Sequence, residues 1–121
     1  TSELKAAGVT ILAGSDTGAS NQNLYPGSSL HAELVEFVEA GMSPLQTIKA
    51  ATLDAARWLG RDKELGSIAK GKLADLVLLD ANPLDDIRNT LKIRAVAANG
   101  KLLDRSQLDT MLGAAQSGPV K

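Results

Sequence analysis

Val9-Thr10-Ile11-Leu12-Ala13-Gly14-Ser15-Asp16-Thr17-Gly18 is the stretch on which the reading of this chain turns. A short, nearly continuous apolar run ends abruptly in a carboxylate set among glycines. Val9 to Ala13 suits a strand buried on both faces, as in a parallel sheet. An acid delivered at the C-terminal tip of such a strand, with a pliable loop behind it, is how α/β enzymes place a metal ligand or a general base.

On the N-terminal side, residues 2–7 read as the last turn of a helix, stopped at Gly8 by a left-handed C-cap. On the C-terminal side, Gly14 to Ser29 is rich in Gly, Ser, Asn and Thr and reads as a loop. A loop of about 15 residues inside a small domain marks function or disorder. Leu30 to Ala40 is then a helix. Leu30, Leu34, Phe37 and Val38 share one side, and Glu33, Glu36 and Glu39 form a more polar face. Gly41 ends it. Ser43-Pro44-Leu45-Gln46 is a capping box with proline at the first helical position. Leu45, Ile48, Ala51, Ala55 and Leu59 continue at helical spacing to Gly60, with Thr52 expected to cap a second segment and kink the run.

The pattern changes after Gly60. Gly66-Ser67-Ile68-Ala69 is expected as a short strand and Lys70-Gly71-Lys72 as a turn with solvated lysines. Ala74 to Leu79 reads as a strand interrupted by Asp75, whose expected role is a structural hydrogen bond. Ile93 to Ala98 and Lys101 to Leu103 flank Asn99-Gly100, a two-residue hairpin signal of type I′. Ser106 is expected to cap a final helix reaching about Ala115, with a frayed tail to Lys121. The order is strand, helices, then a β region: a mixed α/β chain.

Composition closes off several functions. The 121 residues hold 13 basic and 14 acidic side chains, a net charge of −1, so neither nucleic acid nor an anionic membrane is an expected partner. One Trp, one Tyr and one Phe provide no stacking platform for bases. With no cysteine, disulfides and thiolate metal sites are excluded. No apolar stretch is long enough to span a bilayer, no signal peptide is visible, and a cytoplasmic location is the expectation.

Asp16 admits three readings. As a plain loop acid it caps its turn through an Asx motif. Asp16-Thr17-Gly18-Ala19-Ser20 also matches the core letters of aspartic proteases, in which a homodimer pairs two carboxylates over one proton. Those enzymes are nearly all β, however, and residues 30–59 are helical. The third reading rests on a longer series: Gly14-Ser15-Asp16-Thr17-Gly18, Leu30-His31-Ala32-Glu33-Leu34, Gly41-Met42-Ser43-Pro44-Leu45-Gln46-Thr47-Ile48, Ala50-Ala51-Thr52-Leu53-Asp54-Ala55-Ala56, Gly66 through Val77, and Asp80-Ala81-Asn82-Pro83-Leu84. In this order and spacing, across residues 7–104, the chain resembles the amidohydrolase superfamily, in its imidazolonepropionase-like and Xaa-Pro-dipeptidase-like branch.

The resemblance implies the C-terminal part of a (β/α)8 metal-dependent hydrolase barrel, with the last strand and its helices in residues 1–62. Residues 63–105 would be strands of the C-terminal β-sandwich element, and residues 106–121 a terminal helix and tail. It implies a divalent metal, zinc in most of the family, and it matches Asp16 to the family's last ligand and general base. It also implies hydrolysis of a C–N bond in a cyclic amide or dipeptide-like substrate. His31 and Tyr25 are candidate substrate contacts, and Glu33 is expected to face the helix dipole. The family's other ligands are absent: there is one histidine and no His-x-His pair. A catalytic zinc needs about three protein ligands, so this chain alone is expected to bind no metal and to be inactive. The competing expectation is a non-catalytic module that forms homo-oligomers through uncovered strand edges.

Overall fold

The computed structural model describes Glu3, Ala7–Thr17 and Tyr25–Ser117. Among the described residues three helices lead: α1 (Ser28–Glu39), α2 (Pro44–Ala51) and α3 (Leu53–Trp58). A three-stranded antiparallel sheet follows, β1 (Leu76–Leu79), β2 (Ile93–Ala98) and β3 (Lys101–Leu103), with a 3-10 helix at Ile87–Leu91 between β1 and β2. Helix α4 (Arg105–Ser117) closes the order.

The helical region is punctuated by its own sequence. At the end of α1 the Gly41 N–H bonds the Val38 carbonyl (2.9 Å) and the Met42 N–H bonds the Phe37 carbonyl (3.0 Å), with Gly41 at φ +92°. That pair of bonds is a Schellman motif, and its usual apolar clasp is present, since Phe37 and Met42 are both buried in one cluster with Ala50. The capping box forms as read: Gln46 N–H donates to Ser43 Oγ (3.3 Å) and Ser43 N–H to Gln46 Oε1 (3.1 Å). A second Schellman motif ends α3, with Gly60 N–H on Arg57 O and Arg61 N–H on Ala56 O.

The kink falls at Thr52 (φ −129°, ψ −86°), but Thr52 does not cap α3. Its hydroxyl donates backward to the Ile48 carbonyl at 2.7 Å, so the side chain closes α2 rather than opening α3. Among the described residues Leu34, Phe37, Met42, Ala50, Ala56 and Ile87 make up the buried apolar set, and Thr47 is fully buried as well.

Val9 to Ala13 forms no strand ladder among the described residues. A ladder needs a neighbour in register, and no described segment lies alongside to supply one. Instead Ile11 and Ala13 pack on the Phe37–Met42–Ala50 cluster, and the Ala13 N–H reaches the Ala50 carbonyl at 3.3 Å. The helix expected over residues 2–7 falls mainly outside the described residues. Gly8, where the stop is expected, has a left-handed backbone at φ +73°.

The short strand expected at Gly66 to Ala69 is also absent. Gly66 sits at φ +80° against the α2–α3 break, and a β-carbon there would lie 2.7 Å from Ala56 Cβ and 2.8 Å from Leu53 Cα. The segment is therefore seated on the helices, not paired in a sheet. Lys72 is not simply solvated. Its ammonium donates to the Asp62 carbonyl, the Leu65 carbonyl and Ser67 Oγ, and so gathers the loop from residue 62 to residue 72.

In the sheet, Leu76, Val77 and Leu78 face Ala97, Val96 and Ala95, and the register slips before Leu79 meets Ile93. Asn99 (φ +50°) and Gly100 (φ +74°) make the type I′ turn between β2 and β3. Asp75 takes the expected structural role, accepting from the Asn99 N–H at 3.0 Å. Helix α4 is capped by Asp104 rather than Ser106, because Gln107 N–H donates to Asp104 Oδ1 and Asp104 N–H to Gln107 Oε1. The 3-10 helix was not legible in the sequence. Asp86 caps it through the Arg88 N–H, and Ile87 anchors it in the core.

Candidate active site

Asp16 stands exposed on the loop that follows the Ile11–Ala13 contact with the helices. Its backbone is left-handed, at φ +47°. Among non-glycine residues Asp and Asn tolerate this region best, and an acid held there is worth a functional hypothesis. The loop is tethered ahead of Asp16 by a side chain from α1: the Gly14 N–H donates to Glu33 Oε1 at 2.9 Å. Glu33 is the sixth residue of α1, beyond the turn that a helix dipole reaches. Its job is therefore not the expected dipole contact. The second carboxylate oxygen, Glu33 Oε2, is buried without a hydrogen-bond partner among the described residues.

Beside this tether lies a shallow depression of about 290 Å³, lined by Gly14, Ser15, Ser29, Ala32, Glu33 and Glu36. Neither His31 nor Tyr25 lines it. Tyr25 leads into α1, where its N–H donates to Ser29 Oγ (2.8 Å) and its ring remains exposed. His31 meets the 3-10 helix, with Nδ1 3.0 Å from Thr90 Oγ1. The Thr90 hydroxyl spends its one hydrogen on the Ile87 carbonyl at 2.8 Å. His31 Nδ1 must then be the donor to Thr90, which leaves Nε2 as the unprotonated nitrogen of the neutral ring. Burial lowers the His31 pKa from its ordinary value of 6.5, which favours that neutral form.

The donor chemistry fits one metal ligand and not a metal site. Among the described residues no group of three or more His, Asp or Glu side chains converges, and Asp16 contributes a single carboxylate. Two roles escaped the sequence: Glu33 as the Gly14 acceptor and Thr90 as the His31 acceptor. These contacts span 19 and 59 residues, and no local pattern encodes them.

The described residues thus form a small α/β unit in which an exposed, left-handed acid stands on a loop tethered to a helix. The chain belongs to the amidohydrolase family, whose family model matches residues 2–103. It is 41% identical over 92 residues to the ochratoxinase of Aspergillus niger, covering 74% of this chain and 18% of that protein. To the 5-methylthioadenosine/S-adenosylhomocysteine deaminase of Moorella thermoacetica it is 34% identical over 118 residues, covering 84% of this chain and 28% of the deaminase. Among solved structures, a Xaa-Pro dipeptidase with bound methionine in its active site superposes with a TM-score of 0.75 at 33% identity. That match covers 85% of this chain and 24% of the dipeptidase. The chain thus spans less than a third of each of these relatives.

Proposed function

We propose that these residues are the C-terminal portion of an enzyme that hydrolyses a C–N bond in a cyclic amide or dipeptide-like amide. In this reading residues 1–62 are the last strand and helices of a (β/α)8 barrel. Residues 63–105 belong to its C-terminal β element, and residues 106–121 form the closing helix and tail. Asp16 is the general base: its carboxylate takes a proton from the attacking water and returns it to the leaving nitrogen. Asp16 is also one ligand of a divalent metal, zinc in this reading, whose remaining ligands lie outside these residues. Tyr25, with its exposed ring, and His31, through Nε2, are the further substrate contacts. The observation that carries the reading is Asp16 itself, an exposed, left-handed acid on a tethered loop inside the segment matched to the family.

The test uses the full-length enzyme and a panel of cyclic amides and dipeptides. Asp16→Asn lowers kcat/KM by about 100-fold or more, the low end for losing an acid–base group. Activity within threefold of wild type overturns the assignment. The 121-residue chain alone is expected to show no turnover with added zinc; turnover that disappears in Asp16→Asn would contradict this.

A second reading draws on the sheet. Leu76, Val77, Leu78 and Leu102 are exposed, and β1 and β3 are the sheet's edges. Such edges favour an oligomerising module. A strictly monomeric, cooperatively folded chain by light scattering would remove it.

A further inference from the structure

Glu33 is the group through which the helical region holds the Asp16 loop. Upstream of the loop no ladder fixes it among the described residues, and its backbone bond to the helices is a long one, Ala13 N–H to Ala50 O at 3.3 Å. One residue later the Gly14 N–H makes the shorter bond, 2.9 Å, to a carboxylate. A charged acceptor strengthens such a bond relative to a neutral one. The acceptor also stands on a firm support. Helix α1 is fixed at its end by the Phe37–Met42 clasp, and to the 3-10 helix by His31–Thr90 and by Arg88–Glu39 at 3.1 Å.

The orientation of the Gly14 peptide sets where Ser15 and Asp16 begin. Asp16 follows two residues on, in a conformation that few residues other than glycine adopt. A bare polar-face role predicts a glutamate whose carboxylate points into solvent. Here one oxygen is bonded to the loop and the other is buried.

We infer that Glu33 is a positioning residue: by fixing the Gly14 N–H it sets the location of the Asp16 carboxylate. The inference rests on the proposed role of Asp16. Two variants separate position from charge. Glu33→Gln retains a carbonyl oxygen for Gly14, whereas Glu33→Ala removes the acceptor.

The experiment has two arms. In the 121-residue chain, amide hydrogen exchange by NMR reads the Gly14 N–H directly, with thermal melts confirming that each variant folds. Glu33→Ala is expected to speed Gly14 exchange about tenfold or more, and Glu33→Gln to restore most of the protection. In the full-length enzyme, Glu33→Ala is expected to lower kcat about 10- to 100-fold with KM changed much less, because a misplaced group hurts the reacting geometry more than binding. Glu33→Gln should recover most of that loss. Unchanged Gly14 exchange in a folded Glu33→Ala chain overturns the inference whatever Asp16 does, and so does a Gln variant as damaged as the Ala variant. Full activity in Asp16→Asn overturns the hydrolytic reading instead, and leaves the Gly14 result to stand or fall alone.

Discussion

Residues 28–60 and residues 76–103 solve the same problem to different degrees. Both pair their backbone through local signals. The helical region does so with a capping box and two Schellman motifs, the sheet with two antiparallel ladders and a type I′ turn. The helical region also buries its apolar side chains, whereas in residues 76–103 Ile87 of the 3-10 helix is buried and the strands are not. Leu34, Phe37, Met42, Ala50 and Ala56 are buried in the helical region, but Val77 and Leu78 are each 56% exposed and Leu102 is 71% exposed. Hydrogen-bonding instructions act locally, so a segment can carry them whole. Burial is a relation between segments, and near-continuous apolar strands ask for cover on both faces.

The comparison predicts where a substitution will hurt. The largest effect is expected at Gly66, in the segment between the two regions. Gly66→Ala puts a β-carbon 2.9 Å from the Thr52 carbonyl, as well as against Ala56 and Leu53, and does so at φ +80°. Urea denaturation should show a loss of about 2 kcal/mol or more. A loss below about 0.5 kcal/mol would mean that the loop does not sit on the helix break.

Thr47 carries an effect of opposite sign. Its Oγ1 is buried with no partner among the described residues. Thr47→Val removes a hydroxyl that receives no hydrogen bond and keeps the shape, so stability should rise by roughly 1 kcal/mol. A fall in the urea midpoint would show that a donor or acceptor reaches that hydroxyl after all.

The third effect is a pH dependence. The folded-state pKa of His31 lies below the unfolded value, so the unfolded chain binds more protons between the two. Stability is then at its full value above about pH 6.5, falls as pH drops through the window, and levels off below the folded pKa. Because the chain has one histidine, His31→Asn should flatten this slope in melts taken between pH 5 and 8, conditions of about that range being where histidine titrates.

The smallest effect belongs to the sheet. Val77→Thr, at an exposed strand position opposite Val96, should change stability by less than about 0.5 kcal/mol. A larger loss would show that the face is covered in solution and would blur the contrast between the regions.

What the sequence disclosed follows the same division. The capping box, the stops at Gly41 and Gly60, the kink at Thr52 and the Asn99-Gly100 turn are written in adjacent residues, and all appear in the structure. Residues 9–13 have the composition of a strand, and so do residues 66–69, yet neither forms one. Composition states what a segment could pair with, not whether a partner lies alongside. Asp16 was legible as a candidate because an acid after an apolar run is a local signal. The Glu33 tether and the Thr90 partner of His31 were not, because each joins residues far apart in the chain.

The hydrogen bonds from His31 to Thr90 and on to Ile87 also run in one direction only, and they join the helix behind the Asp16 loop to the segment between β1 and β2. With a single imidazole in the chain, one ring proton becomes a gauge of that joint. While α1 sits on the 3-10 helix, the Nδ1 proton is held and its resonance stays visible. Should the two parts separate, the proton exchanges with water and the signal fades, whether or not either part unfolds.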